Sequence, residues 1–327
     1  MKKKLLISIG ALSFAIVAII AGATFYLMGY SLQRNGKSRG KDVYGAYMLM
    51  FERYPHLRAW TDSLKNAKAL RDTFIYSTDS IKLHAMYVRA ASPTPNTAVL
   101  VHGYIENAVN MLHLGHLYNH DLGYNILMPD LRYAGMSDGT HIQMGWFDRL
   151  DVMQWMDVAN AVFSTDSAQT SMVVHGVSMG GATTMMVSGE KQKEYVRCFI
   201  EDCGYTSVWD EFKVQLYDQF HLPQFPLLYS ANIMTKLRYG WSFSKASALL
   251  QVAKCKLPMM FIHGDNDTFV PTSMVYPLYE AKTGAKELWI VPSTGHAESY
   301  RTHPEEYRQR ISRFLDKYQK QHKAYNQ

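Results

Sequence analysis

The hydrophobic pattern changes character three times along this chain. Residues 5–28 form one uncharged apolar run; at 1.5 Å per residue, a helix of that length crosses a hydrocarbon layer of about 30 Å. Residues 31–72 are mixed. Apolar groups recur at helical spacing over 43–54, and 57–70 reads as a short helical region, so this part is expected to connect the first helix to a body and to pack on it. From residue 73 short apolar runs alternate with amphipathic ones. The runs at 73–78, 81–87, 97–101, 124–128, 171–175, 198–200, 257–262 and 287–291 predict strands. The stretches 107–120, 147–163, 181–188, 274–281 and 305–321 predict helices. Short, continuously apolar strands are covered on both faces. Their alternation with helices predicts an α/β fold, a mostly parallel sheet with helices on both faces. Only Asp79-Ser80 separates the first two strands, too little for a crossover helix, so the sheet is expected to begin antiparallel.

One stretch breaks the rhythm. Residues 205–254 separate two predicted strands, hold no strand pattern, and are rich in aromatic residues such as Trp209, Phe212, Phe220, Phe225 and Tyr229. That is too long for an ordinary connection, and it predicts a helical cap insertion that supplies a hydrophobic pocket. The expected organisation is therefore a membrane anchor or signal segment (1–31), a connecting helical segment (32–72), a first core part (73–204), the helical cap (205–254) and a second core part (255–327).

Charge sharpens the reading of the N-terminus. The chain has 34 Lys and Arg against 28 Asp and Glu. Lys2, Lys3, Lys4, Arg34, Lys37, Arg39 and Lys41 precede any acidic residue, which leaves the body close to neutral. Positive charge that flanks an apolar run indicates membrane topology and headgroup contact, not nucleic acid. The expectation is a single-pass N-terminal transmembrane helix in the cell membrane, touching lipid, with the body outside the cytoplasm because a short leading tail stays inside. The competing expectation is a secreted form cleaved at the small-x-small site Ala21-Gly22-Ala23. Cys198, Cys203 and Cys255 make an odd set without a CxxC, which excludes a disulfide scaffold and a zinc knuckle.

The chemistry centres on Gly176-Val177-Ser178-Met179-Gly180-Gly181, a G-x-S-x-G with a strand before it and a helix after. A serine on a sharp strand-to-helix turn projects its oxygen toward substrate, and Gly176 and Gly180 permit the tight bend. The unpaired N–H groups of the new helix favour a developing oxyanion. A serine hydroxyl needs a base; His296, in the loop beyond the last strand, is the candidate. An acid should end the preceding strand. Asp267 is chosen over Asp265, which suits a turn, and over Asp202, which suits loop hydrogen bonding. The oxyanion donors are expected at the N–H groups of Met179 and of Tyr104, in the loop His102-Gly103-Tyr104, where Gly103 allows close approach. Asp130 and Arg132 read as loop-holding residues. His113, His116 and His120 share a helical face at a spacing that can ligate zinc, but no acid or cysteine follows the known spacings, and no metal is expected. The absence of a G-x-G-x-x-G or P-loop leaves no support for a nucleotide cofactor.

These residues together resemble the α/β-hydrolase superfamily, in particular the bacterial serine-aminopeptidase-like or membrane-bound cell-surface hydrolase group. The resemblance spans roughly residues 73–320. It rests on Val101-His102-Gly103-Tyr104, Asp130-Leu131-Arg132, Gly176 to Gly181, Glu201 to Tyr205, His263 to Pro271 and Gly295-His296. It implies the α/β-hydrolase fold and the order Ser178, Asp267, His296 for nucleophile, acid and base, in agreement with the residue-level reading. The chain departs from the group at Arg132-Tyr133-Ala134-Gly135, where relatives often carry Arg-Gly-His-Gly, so Tyr133 is expected to reshape the site entrance. The expected activity is serine-dependent hydrolysis of small carboxylic esters through an acyl-enzyme. The alternatives are an aminopeptidase or amidase acting on small peptides, with Glu211 as the candidate amine-holding residue, and a thioesterase.

Overall fold

The computed structural model describes residues 2–33, 39–165 and 169–319. Arg34 and Lys37 of the basic flank, and residues 320 and 321 of the expected last helix, lie outside them. Helix α1 (Lys2–Met28) passes through a π-helical turn (Gly29–Gln33) toward α2 (Val43–Arg53) and α3 (Leu57–Asn66). The strands are β1 (Arg71–Tyr76), β2 (Lys82–Val88), β3 (Asn96–Val101), β4 (Asn125–Pro129), β5 (Ser171–Val177), β6 (Val196–Asp202), β7 (Met259–Gly264) and β8 (Lys286–Val291). They form one eight-stranded sheet in the order β1-β2-β4-β3-β5-β6-β7-β8. Strand β2 runs antiparallel to both neighbours, and every later pairing is parallel. The tight Asp79-Ser80 link thus has the consequence expected of it.

The remaining helices are α4 (Leu112–His116), α5 (Asp148–Phe163), α6 (Met179–Ser188), α7 (Val208–Phe220), α8 (Leu227–Tyr239), α9 (Ala248–Val252), α10 (Val275–Ala281), α11 (Ser299–Thr302) and α12 (Pro304–Gln319). The sheet is covered on both faces. Along β3, Val99 and Val101 belong to the core shared with α5, α6 and α8, while Ala98 and Leu100 belong to the core shared with α2, α4 and α12. Side chains alternate across a strand, so two buried faces require an unbroken apolar run. Segment 205–254 carries α7, α8 and α9 and no named strand.

Three local expectations shift. The helix expected at 107–120 is broken into a 3-10 turn (Ala108–Met111), α4 and a π-helical turn (Leu117–Asp121). The wider turn inserts a residue and rotates the later positions. His113 stacks on Tyr54 at 5.2 Å, and His116 and His120 stack on each other at 4.4 Å. Helix α3 stops at Asn66, short of residue 70, where Lys68 turns to φ 54°. Strand β6 is longer than its apolar centre, because Glu201 and Asp202 remain in the ladder.

Helix α1 is long and apolar enough to cross a membrane by length and composition. Its residues through Ile19 are exposed, but its end is not: Thr24 and Met28 are buried against the body. The hydroxyls of Thr24 and Ser230 on α8 lie 2.6 Å apart.

Candidate active site

Strand β5 ends at Val177 and α6 begins at Met179, leaving Ser178 as the turn at φ 57° and ψ −121°. Non-glycine residues seldom occupy positive φ, and such strain persists only where the surroundings enforce it. Here the N–H of Ser178 donates to the carbonyl of Asp202 at 2.7 Å, and its own carbonyl accepts from Ala182 at 3.0 Å. The flanking glycines are needed for close approach. A Cβ on Gly176 would lie 2.0 Å from the Gly180 carbonyl oxygen, and one on Gly180 would lie 2.0 Å from that of Val101.

Ser178, Asp267 and His296 follow the C-terminal ends of β5, β7 and β8, which lie on the same side of the parallel sheet. His296 Nε2 is 2.8 Å from Ser178 Oγ, and His296 Nδ1 is 2.7 Å from Asp267 Oδ2. The other Asp267 oxygen accepts the N–H groups of Phe269 at 3.0 Å and Val270 at 2.9 Å. Burial works against a charge on Asp267, but its bonds with His263 and His296 prevail and hold the carboxyl down at about 2. An ionised carboxylate only accepts, so Nδ1 carries the imidazole hydrogen and the Nε2 lone pair faces the serine hydroxyl.

The rejected acids sit elsewhere. Asp265 accepts the N–H of Thr294 at 3.2 Å, a turn contact. Asp202 accepts from Ser299 at 3.0 Å and Tyr307 at 3.1 Å, and burial pushes its carboxyl up to about 6.

The loop after β3 flanks the serine. A Cβ on Gly103 would stand 3.5 Å from Ser178 Cβ, and the N–H of Gly103 donates to Glu106 at 3.0 Å, which pins the loop. Met179 is the first residue of α6, and the side chains of Tyr104 and Met179 line the cavity before Ser178. His102 accepts the N–H of Leu131 at 3.0 Å, a bond between two loops. Asp130 accepts from Ala108 at 2.7 Å and Met136 at 2.8 Å and pairs with His84 Nδ1 at 2.6 Å. Arg132 spreads its guanidinium over Asp79 and Asp151. These two residues tie the loop after β4 to its neighbours. Tyr133 is not among the residues that line the cavity. Its ring lies near Lys41 and its hydroxyl donates to the Gln33 carbonyl at 3.4 Å.

Several contributors escaped the sequence reading. His263, on β7, donates through Nε2 to the Val270 carbonyl at 2.9 Å and lies 3.3 Å from Asp267 Oδ2. Glu201 lies behind it with one oxygen accepting from Gly204 at 2.9 Å, and burial pushes its carboxyl up to about 8. The available signal was a titratable residue closing each of two apolar strands, Phe199-Ile200-Glu201 and Phe261-Ile262-His263. Among the described residues, two groups each bring metal-capable donor atoms within 4.8 Å of one another: His116, His120 and Asp121 in one, and Cys203, Asp267 and His296 in the other. In the second, Asp267 and His296 already bond each other, and His296 bonds Ser178.

A largely apolar cavity opens in front of Ser178. Its walls come from α7 (Phe212, Leu216), α8 (Leu228, Ala231) and, unforeseen from sequence, the end of α1 (Leu27, Met28). One acid projects among these apolar groups. Glu211 is 3% exposed; Oε1 accepts from Gln215 at 3.0 Å, and Oε2 has no partner. Burial pushes its carboxyl up to about 8.

The family model described as the prolyl oligopeptidase family matches residues 120–322, from the end of the helical region before β4 through α12. The chain belongs to the prolyl oligopeptidase family. The chain is 30% identical over 322 residues to the Bacillus subtilis protein YqkD, covering 96% of this chain and 97% of that one. It is 25% identical over 248 residues to Escherichia coli YfhR, covering 72% and 77%. Among solved structures, the Pyrococcus furiosus esterase Pf2001 superposes with a TM-score of 0.61 at 24% identity, covering 78% of this chain and 95% of that one. The Pyrococcus horikoshii acylaminoacyl peptidase gives 0.55 at 16%, covering 77% and 42%. At these identities the structural likeness is one of fold. Membership of the prolyl oligopeptidase family places the chain in the α/β-hydrolase superfamily as a serine hydrolase.

Proposed function

We propose that the chain is a membrane-anchored carboxylesterase in which Ser178 is the nucleophile and His296 the general base. The observation that carries the reading is the unbroken series Asp267–His296–Ser178, with links of 2.7 and 2.8 Å. Ser178 Oγ attacks the ester carbonyl while His296 Nε2 takes its proton. The oxyanion forms between the N–H groups of Met179 and Tyr104, at the positive end of α6. Collapse breaks the acyl C–O bond, and His296 returns the proton to the departing alcohol. Water, deprotonated by the same imidazole, then releases the acid and restores the serine. Asp267 holds the ring and its tautomer throughout. The apolar cavity favours an acyl chain, and a relative of the same fold is an esterase.

Substitution Ser178→Ala tests this reading. Turnover of p-nitrophenyl acetate should fall by several orders of magnitude with an unchanged Tm, and labelling by a fluorophosphonate should vanish. Near-normal turnover by the variant would assign the chemistry to another group.

A second reading is favoured by Glu211, whose unpartnered oxygen stands in the cavity wall: a substrate ammonium would hold that carboxylate ionised, as an aminopeptidase requires. Aminoacyl arylamides cleaved faster than acyl esters, with the preference lost in Glu211→Gln, would establish it. The location proposed with the esterase is the cell membrane, with α1 as the anchor and the body outside the cytoplasm. Protease added to intact cells should digest the body; full protection until lysis would reverse the orientation.

A further inference from the structure

The end of α1 is part of the cavity wall. Leu27 and Met28, together with Tyr30 and Ser31 of the following turn, line the same space as Ser178. The Tyr104 hydroxyl donates to the Ser31 carbonyl, tying that turn to the loop beside the serine. The Tyr30 hydroxyl donates to Gln219 on α7 at 3.1 Å, across a rim where Gln219 is exposed. A hydrocarbon layer of about 30 Å takes about 20 helical residues, which from Leu5 brings the far surface to about Thr24. Leu27 then stands only about 5 Å beyond it, at 1.5 Å per residue.

Helix α8 lies beside this part of α1. Ser230 meets Thr24, and Tyr239 stacks on His141 at 3.7 Å, next to Ile142, whose N–H donates to the Leu32 carbonyl at 2.8 Å. The two helices therefore run in the same direction, and the start of α8 with the loop before it faces the side from which α1 arrives. That side carries bare apolar surface: Leu222 is 37% exposed, Phe225 70%, Tyr229 47% and, one turn on, Ile233 58%. Phe225 and Tyr229 meet ring to ring at 5.7 Å; exposed apolar surface of this kind marks a partner surface, and it lies on and just before the helix that packs on α1 through Ser230 and Thr24.

We propose that this face of the cap rests in the bilayer interface and that the substrate is a membrane-resident acyl ester, which moves from the lipid along the seam between α1 and the cap into the cavity. The proposal rests on the esterase reading and on α1 as an anchor. It gives the anchor a catalytic consequence: the acyl chain passes from lipid to Leu27, Met28 and Leu228 without crossing water, and the ester arrives at Ser178 while the polar part of the molecule stays at the rim.

The full-length protein in phosphatidylglycerol–phosphatidylcholine vesicles provides the test, with a fluorogenic long-chain diacylglycerol in the bilayer as one substrate and p-nitrophenyl acetate in solution as the other. Phe225→Glu combined with Ile233→Glu should lower turnover of the bilayer substrate at least about tenfold relative to the soluble one, the equivalent of about 1.4 kcal/mol. Phe225→Cys carrying a fluorophore should be quenched by brominated lipids; the native cysteines are buried and do not compete. Equal effects on both substrates together with an unquenched label would overturn the proposal and leave the esterase reading standing. An unquenched label with a dimer that Phe225→Glu dissociates in detergent would assign the face to a second copy of the chain. Failure of the wild type to hydrolyse p-nitrophenyl acetate in a Ser178-dependent way would instead remove the esterase reading itself.

Discussion

Replacing Asp267 by asparagine isolates what the carboxylate does for the imidazole. The side chains are nearly isosteric, and the amide oxygen can keep the bonds that Oδ1 accepts from Phe269 and Val270. The amide nitrogen then takes the place of Oδ2, 2.7 Å from His296 Nδ1. Two donors cannot face each other, so the favoured tautomer moves its hydrogen to Nε2. That hydrogen points at Ser178 Oγ, 2.8 Å away, and the nitrogen no longer accepts the serine proton. Losing the resting tautomer of a serine-activating histidine costs about 10^4 in kcat, or about 5.5 kcal/mol. The assay is kcat and KM for p-nitrophenyl acetate near neutral pH, with fluorophosphonate labelling rates and Tm measured on the same preparations. Labelling should slow in step with kcat, whereas KM and Tm should move little. A variant within about tenfold of wild type in kcat, at unchanged Tm, would show that Asp267 does not set the tautomer.

The Glu211 carboxyl, held up at about 8 by burial, is neutral at lower pH and ionises as pH rises through that value. For a neutral ester, kcat/KM should therefore fall on the alkaline side, by about tenfold one pH unit above 8 if only the neutral pocket accepts the chain, and Glu211→Gln should abolish the fall. An unchanged profile in the variant would separate this carboxyl from the substrate. The same shift has a stability consequence of definite sign. The folded state binds more protons than the unfolded one between the ordinary carboxylate range and about 8, so Glu211 should lower stability as pH rises through that window, and Glu211→Gln should flatten the Tm–pH curve there. Gly180→Ala should destabilise by about 2–3 kcal/mol in urea titrations, because the added Cβ meets the Val101 carbonyl oxygen at 2.0 Å; wild-type stability would mean that the loop after β3 yields easily.

The alternation of apolar runs and amphipathic stretches was sufficient to derive the strands, most helices, the antiparallel start and the parallel remainder. Burial on two sheet faces writes itself into consecutive residues, so each strand carries its own signature. The G-x-S-x-G turn was equally legible, since a bend of that sharpness demands glycines at Gly176 and Gly180. Ser178, Asp267 and His296 could be picked out in chain order, but their separations of 2.7 and 2.8 Å belong to the juxtaposition of three strand ends.

What the tertiary structure alone decided concerns groups whose partners are remote in sequence. His263 acquires its place beside Asp267 only through the turn that returns Val270 to it, and Glu201 looks like any strand-end acid until burial raises its proton affinity. Tyr133, bulky in the sequence, turns out to face Lys41 and Gln33. Above all, no local pattern distinguishes the last turn of a free-standing apolar helix from one that walls a cavity. Residues 5–28 carry no charge and are apolar but for Ser8, Ser13 and Thr24, and such a run fixes that a helix prefers an apolar environment without choosing between lipid and protein. That choice is made at Thr24 and Met28 by where α8 lies, a contact between segments some two hundred residues apart.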